Sequence, residues 1–153
     1  SPVKLYNEPQ NLFVAGFIGS PQMNFIDAVP EKKGEEVWLK FHGQSVKLTP
    51  EKAAKVVAAN AIGKEVVLGI RPEDIHETED ALTKFPDNVI TGDVHVTELL
   101  GAEMHLYLGI EDTDLIATVN PRIQVKSGDR LKLAMDPSRI HVFDKETEQT
   151  ITN

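Results

Sequence analysis

The second half of this chain alternates. From Ile90 to Met135, apolar residues and small glycine or alanine recur at every second position. The runs are Ile90, Gly92, Val94 and Val96, then Met104, Leu106, Leu108 and Ile110, then Leu115, Ala117 and Val119, then Leu131, Leu133 and Met135. Successive side chains of a strand point to opposite faces, so each run makes one apolar face on a strand and would scatter around a helix. Turn signals separate the runs, at Gly101 and at Ser127-Gly128-Asp129. Short strands at this spacing imply an antiparallel barrel or sandwich.

The stretch before residue 90 supplies further strands and one helix. Val37-Trp38-Leu39-Lys40-Phe41 and Ser45-Val46-Lys47-Leu48 flank His42-Gly43-Gln44, which reads as a hairpin. Trp38 and Phe41 are three apart, so a regular strand turns them to opposite faces. Thr49-Pro50 is a helix start, and Ala53, Val56 and Val57 follow at helical spacing before Gly63. Glu65 to Ile70 is a strand stopped by Arg71-Pro72. His76 to Asp87 reads as a polar loop, with Glu77-Thr78-Glu79-Asp80 as a solvated connection. Ile140 to Phe143 is the last short strand, and residues 145–153 are expected to be a flexible tail.

Residues 1–20 differ from the rest. Ser1-Pro2 starts a short turn carrying Leu5 and Tyr6, Pro9 breaks it, and Asn11 caps a helix from Leu12 to Ile18. Phe13 and Phe17 lie four apart on one face. No charge interrupts Leu12 to Ile18, and a helix apolar nearly all round wants burial on most faces. Gly19-Ser20-Pro21 ends it.

Several chemistries are excluded or disfavoured. The formal net charge of −8 opposes broad nucleic-acid binding, which needs Lys and Arg along the phosphates. With no cysteine, neither disulfides nor thiolate metal sites are available, which fits a reducing cytoplasm. Polar residues from Asn7 to Asn11 break any signal-peptide pattern, and no apolar run spans a bilayer, so membrane association is expected only through a partner. The one Gly-Lys pair, Gly63-Lys64, is followed by Glu65 and precedes a strand, so no phosphate loop is expected. His95 and His105 flank the turn at Gly101 and are the one histidine pair a hairpin would oppose, with Glu98 or Glu103 nearby, but polar-face histidines explain them as well. No serine sits in a nucleophile elbow, and the adjacent carboxylates Glu73-Asp74 and Glu111-Asp112 do not converge by adjacency alone. Catalytic, metal and cofactor residues are therefore not expected in this chain.

Three stretches carry the reading further. Leu5-Tyr6-Asn7-Glu8-Pro9-Gln10-Asn11-Leu12-Phe13-Val14-Ala15-Gly16-Phe17-Ile18-Gly19-Ser20-Pro21-Gln22-Met23-Asn24-Phe25 resembles the place where the ATPase domain ends in maltose-type ABC importer ATPases. Leu68-Gly69-Ile70-Arg71-Pro72-Glu73-Asp74 is similar to a strand-ending segment of the same family. Gly92 to Glu103, with Asp136 to Phe143, resembles the strand, glycine turn and closing segment of its TOBE-type barrel.

The resemblance implies a mainly β, OB-like TOBE barrel over 21–144, preceded by the helical end of an ATPase domain over 1–20. It implies that ATP and Mg2+ sit on that other domain and that this chain performs no chemistry. It implies a regulatory and dimerisation role in a carbohydrate importer, on the cytoplasmic face of the membrane. The implied partners are a second copy, the ATPase domain, the permeases indirectly, and a regulatory protein. Asn11 to Ile18 would pack on the ATPase domain. The motif residues carried over as interaction candidates are Phe13, Phe17, Gly19, Ser20, Pro21, Met23, Asn24, Gly69, Arg71, Pro72, Glu73, Gly101 and Glu103. Arg71 is expected to pair with Glu73 or a more distant carboxylate. The alternative is an oxyanion-binding TOBE barrel using Thr97, Thr118 and Lys126.

Overall fold

A computed structural model of the protein describes residues 2–17 and 22–153. Among the described residues, two short helices, α1 (Pro2–Asn7) and α2 (Leu12–Phe17), precede eleven strands. The first five are β1 (Asn24–Lys33), β2 (Glu36–Phe41), β3 (Gln44–Lys47), β4 (Val66–Ile70) and β5 (Ile75–His76), with helix α3 (Pro50–Ala58) between β3 and β4. Helix α4 (Glu79–Lys84) leads to β6 (Val89–Leu100), β7 (Glu103–Ile110), β8 (Thr113–Val119), β9 (Arg130–Met135), β10 (His141–Asp144) and β11 (Thr150–Thr152).

The strands form two sheets in the orders β11-β10-β4-β1-β2-β3 and β5-β9-β6-β7-β8. Every strand pair among the described residues is antiparallel. One apolar core fills the space between the sheets, with Ile26, Leu39, Leu68, Ile90, Leu106, Leu115 and Leu133 contributed by seven different strands. Two side-chain amides stitch the sheets where the ladders stop. Asn24 donates to the Ile116 carbonyl at 2.9 Å and accepts from its amide at 2.8 Å. Gln44 does the same with Thr91, at 3.0 and 2.8 Å. An amide side chain carries one donor and one acceptor in backbone spacing, so each satisfies a strand position that has no neighbouring strand. This is the mainly β, antiparallel architecture that the alternation implies.

The local signals act as expected at the hairpin and at α3. His42 (φ 48°) and Gly43 (φ 76°) both take positive φ in the two-residue turn between β2 and β3, the backbone that matches strand twist. Thr49 caps α3, its Oγ1 accepting from the Lys52 amide at 3.3 Å. Phe41 is buried and Trp38 half-buried, on opposite faces of β2.

Two expectations are overturned. The loop over 76–87 contains helix α4, because Thr78 Oγ1 accepts from the Ala81 amide at 3.2 Å and Ala81 is buried. The expected flexible tail over 145–153 is not one: its last residues form β11, antiparallel to β10, and Thr152 is 2% exposed. Asp144 Oδ1 fixes the intervening turn by accepting from the amides of Glu146 and Thr147, at 2.9 and 2.8 Å. No helix among the described residues is long and apolar enough to cross a membrane.

Candidate functional site

The N-terminal segment lies on the outer face of the first sheet. Asn11 begins α2 as a cap, its Oδ1 accepting from the Val14 amide at 2.9 Å. The segment adds itself to the end of the chain. Leu12 N–H donates to the Glu148 carbonyl at 3.0 Å, Thr150 N–H to the Gln10 carbonyl at 3.2 Å, and Thr150 Oγ1 to the Pro9 carbonyl at 2.7 Å. Asn11 and Gln149 form an antiparallel bridge. These bonds cover part of the sheet edge that β11 would otherwise leave open.

Beneath α2 is a second, small core. Ala15 (0% exposed) packs with Met23, Val67 and Phe143, and Leu12 and Phe25 close its rim. The rings of Phe25 and Phe143 meet edge-on at 6.1 Å. Gly69 makes room for this cluster: a Cβ there would meet Met23 Sδ at 2.6 Å and Phe143 Cε2 at 2.8 Å. Met23 and Gly69, drawn from two motifs distant in sequence, therefore serve one contact.

The polar half of the joint centres on Arg71, which is 2% exposed. Its Nη2 donates to the Tyr6 carbonyl at 2.9 Å, and its guanidinium stacks 3.8 Å from the centroid of the Tyr6 ring. The Tyr6 hydroxyl donates to Glu73 Oε2. Burial, followed by the Glu73 hydrogen bond, pushes the Tyr6 hydroxyl up to about 12. Burial pulls Arg71 below its ordinary value, while Tyr6, Glu73 and Asp74 favour its charged form. The charged partner expected for Arg71 thus reaches it through Tyr6, with Glu73 holding the far end of the ring.

Tyr6, Arg71, Asp74, Arg139, His141 and Asn153 line a cleft of about 670 Å3 between α1 and the barrel. Burial, with the Glu73 carboxylate second, raises Asp74 to about 6. Burial lowers His141 to about 4, against the opposing pull of Asn153, whose Oδ1 lies 3.0 Å from Nδ1.

The β6–β7 hairpin extends beyond the pairing of β6 with β9. β6 pairs with β9 only as far as Asp93, where Val94 N–H still reaches the Asp129 carbonyl at 2.7 Å. From Val96 to Leu100 its backbone ladder is with β7 alone among the described residues. Val96, Leu99 and Leu100 are 54%, 63% and 48% exposed. Alternation puts Val96 and Leu100 on one face and Leu99 on the other. Gly101 (φ 63°) makes the turn and Glu103 starts β7. Tyr107 donates to Glu98 at 3.2 Å.

The candidate residues therefore fall into groups. Met23, Gly69, Arg71, Pro72 and Glu73 gather at the joint, with Pro72 buried at the head of the turn Pro72–Asp74. Asn24 is spent on the sheet-to-sheet stitch. Gly101 and Glu103 sit at the hairpin tip. Phe13 is 75% exposed on α2. Phe17 ends α2, with its side chain outside the described residues, as are Gly19, Ser20 and Pro21 entirely. The histidine pair does not meet, since the register sets Glu98 opposite His105. The described residues hold no cluster of three metal-ligating side chains. Thr97 shares a face with Leu106 and Ala117 while Thr118 shares one with His105, so these threonines do not converge on an anion. Gly63 and Lys64 donate their amides to the carbonyls of Pro30 and Ala61, so they do not fit a nucleotide phosphate.

Comparison with known proteins agrees with this architecture. A family model described as the MalK OB fold domain matches residues 19–75, and one described as the TOBE domain matches 68–143. The oligosaccharides import ATP-binding protein MsmX of Bacillus subtilis is 40% identical over 152 residues, covering 99% of this chain and 40% of the relative. The trehalose/maltose import ATP-binding protein MalK of Thermococcus litoralis is 34% identical over 152 residues, again 99% and 40%. The multiple sugar-binding transport ATP-binding protein MsmK of Streptococcus mutans is 38% identical over 151 residues, 99% and 39%. The chain spans about 40% of the length of these relatives. Among solved structures, the cytoplasmic molybdate-binding protein ModG superposes with a TM-score of 0.58 at 16% identity, over 78% of this chain and 94% of that one, a likeness of fold. With the two family models together matching residues 19–143, the chain belongs to the family of MalK-type OB-fold and TOBE domains.

Proposed function

We propose that this chain is the regulatory and dimerisation domain of the ATP-hydrolysing subunit of a carbohydrate ABC importer. The observation that carries the reading is the match along 99% of the chain to ATP-binding proteins of oligosaccharide and trehalose/maltose import. In this reading the chemistry belongs to an ATPase domain that holds ATP and Mg2+, and the barrel contributes contacts. The β6–β7 hairpin suits a second copy: its tip is apolar on both faces, and its edge from Val96 to Leu100 offers unpaired backbone. Through the permeases the subunit works at the cytoplasmic face of the membrane, where a regulatory protein also has access to the barrel.

The test is the native mass. An antibody raised against this 16.9 kDa chain detects, in the source cell, a polypeptide heavier by an ATPase domain of about 200 residues or more. A native band near 16.9 kDa overturns the reading. Sedimentation of the complete subunit then gives a dimer that weakens when the hairpin tip is made polar.

A further inference from the structure

Two stretches 65 residues apart meet at one place in this fold. Arg71 is a cation at 2% exposure, and a buried cation costs stability unless hydrogen bonds and π contacts replace its water. Tyr6 provides both, a carbonyl at 2.9 Å and a ring at 3.8 Å, and Glu73 ties down the Tyr6 hydroxyl.

Among the described residues, the other contacts of the joint lie on α2 and on the link before it. Among these residues, the segment's anchor in the small apolar core is Ala15, helped by the half-buried Leu12. Its other backbone bonds to the rest of the chain, again among the described residues, fall between Pro9 and Leu12, near one pivot. Helices of six residues, as both α1 and α2 are, do not hold their shape unaided. A planar guanidinium sandwiched against a ring and bonded to a carbonyl is directional, and it acts on α1, beyond the pivot.

We propose that Tyr6, Arg71 and Glu73 form a latch that holds the N-terminal segment on the barrel in one orientation, and that in the complete subunit this latch sets the angle between the ATPase domain and the barrel. The second half rests on the function proposed above; the first half does not. Arg71 acts here as a positioning residue, through Tyr6.

The test is amide hydrogen exchange on this chain, read at Glu8, Leu12 and Ala15 of the segment and at Thr150 across the joint. These amides donate to Lys4, Glu148, Asn11 and Gln10. In Tyr6→Ala they exchange about tenfold faster or more, and in Tyr6→Phe, which keeps the stack and loses the Glu73 bond, about threefold, while β4, β9 and β10 keep their protection. Arg71→Lys keeps the charge, loses the planar fork and also frees the segment. Segment exchange within about twofold of the parent chain in Tyr6→Ala overturns the latch. So does full protection in Arg71→Lys with an intact barrel. In the complete gene product, spin labels on the ATPase domain and on β8 give a distance distribution that broadens in Tyr6→Ala. A sharp distribution alongside a released segment overturns the interdomain half and leaves the latch standing.

Discussion

The N-terminal segment and the β6–β7 hairpin both carry apolar residues outside the main core, and the chain finishes them in opposite ways. The segment is short and weakly helical, yet its carbonyls, its Tyr6 ring and Ala15 are met by the barrel and by β11. The hairpin is a continuous ladder beyond the irregularity at Val94–Val96, yet Val96, Leu99 and Leu100 are exposed and, among the described residues, the outer edge of β6 stays open there. Regular backbone structure thus says little about where an element's contacts end. The segment's contacts lie within the chain, and the hairpin's Val96, Leu99 and Leu100 stay exposed.

The sharpest way to break the segment's side of this comparison is Phe143→Ala. Phe143 is fully buried beneath α2, edge-on to Phe25 and stacked with His141. Its truncation lowers unfolding stability by about 3–5 kcal/mol in urea titration and speeds exchange at Leu12 as well. If the barrel weakens and the Leu12 amide stays protected, the polar contacts alone hold the segment. Gly69→Ala works in the other direction, by overfilling. Its Cβ collides with the Phe143 ring and the Met23 sulfur; the sulfur gives way more easily than the ring, so the cost is about 1–3 kcal/mol.

The hairpin answers differently. In Leu99→Ser with Leu100→Ser the barrel's stability stays within about 0.5 kcal/mol of the parent, because both side chains are already exposed. Self-association of the complete subunit weakens about tenfold or more by sedimentation equilibrium, the loss expected on removing two apolar contacts from an interface. A large fall in stability, or unchanged association, would remove the hairpin from the dimer contact.

These contrasts explain what could be read in advance. Alternation over Ile90–Met135 placed four strands, because strand periodicity and burial are set by the same residues. Thr49-Pro50 and His42-Gly43 were legible because capping and positive φ are local requirements. Residues 145–153 were not. Their polarity resembles a tail, and what orders them is a turn built by Asp144 and a bridge to Asn11, a partner at the far end of the chain. The joint was half legible: Arg71, Gly69 and Met23 stood out within motifs, but nothing in a linear reading brings Tyr6 over Arg71 or Phe143 under Ala15. Thr78-Glu79-Asp80-Ala81 held a capping signal for α4 that its charge obscured.

The smallest effect expected is also the finest probe of the joint. Asp74 and His141 line the same cleft as Tyr6, and burial displaces them in opposite directions. Asp74, faced by Glu73, Arg139, Asp136 and His76, has its folded value raised to about 6 from 3.8, so its protonated form is favoured in the fold. Its contribution to stability is full at acid pH and is lost as pH rises through about 6. His141, faced by Asn153, Lys52, Arg71 and Arg139, is lowered to about 4 from 6.5. The unfolded chain then binds the extra proton, so its contribution is present above 6.5 and is lost as pH falls towards about 4. Between pH 5 and 7 the two slopes oppose each other. After allowance for solvent in the cleft, each amounts to about 1 kcal/mol, and their sum is close to flat. Asp74→Asn leaves the histidine's slope exposed, so that variant loses stability on going from pH 7 to 5; His141→Gln leaves the aspartate's and gains stability over the same interval. Freeing the segment with Tyr6→Ala hydrates the cleft and returns His141 from about 4 towards 6.5 in an NMR titration of its ring protons. A His141 value that stays near 4 in that variant would mean that the barrel alone buries the ring, and that the segment rests over the cleft without closing it.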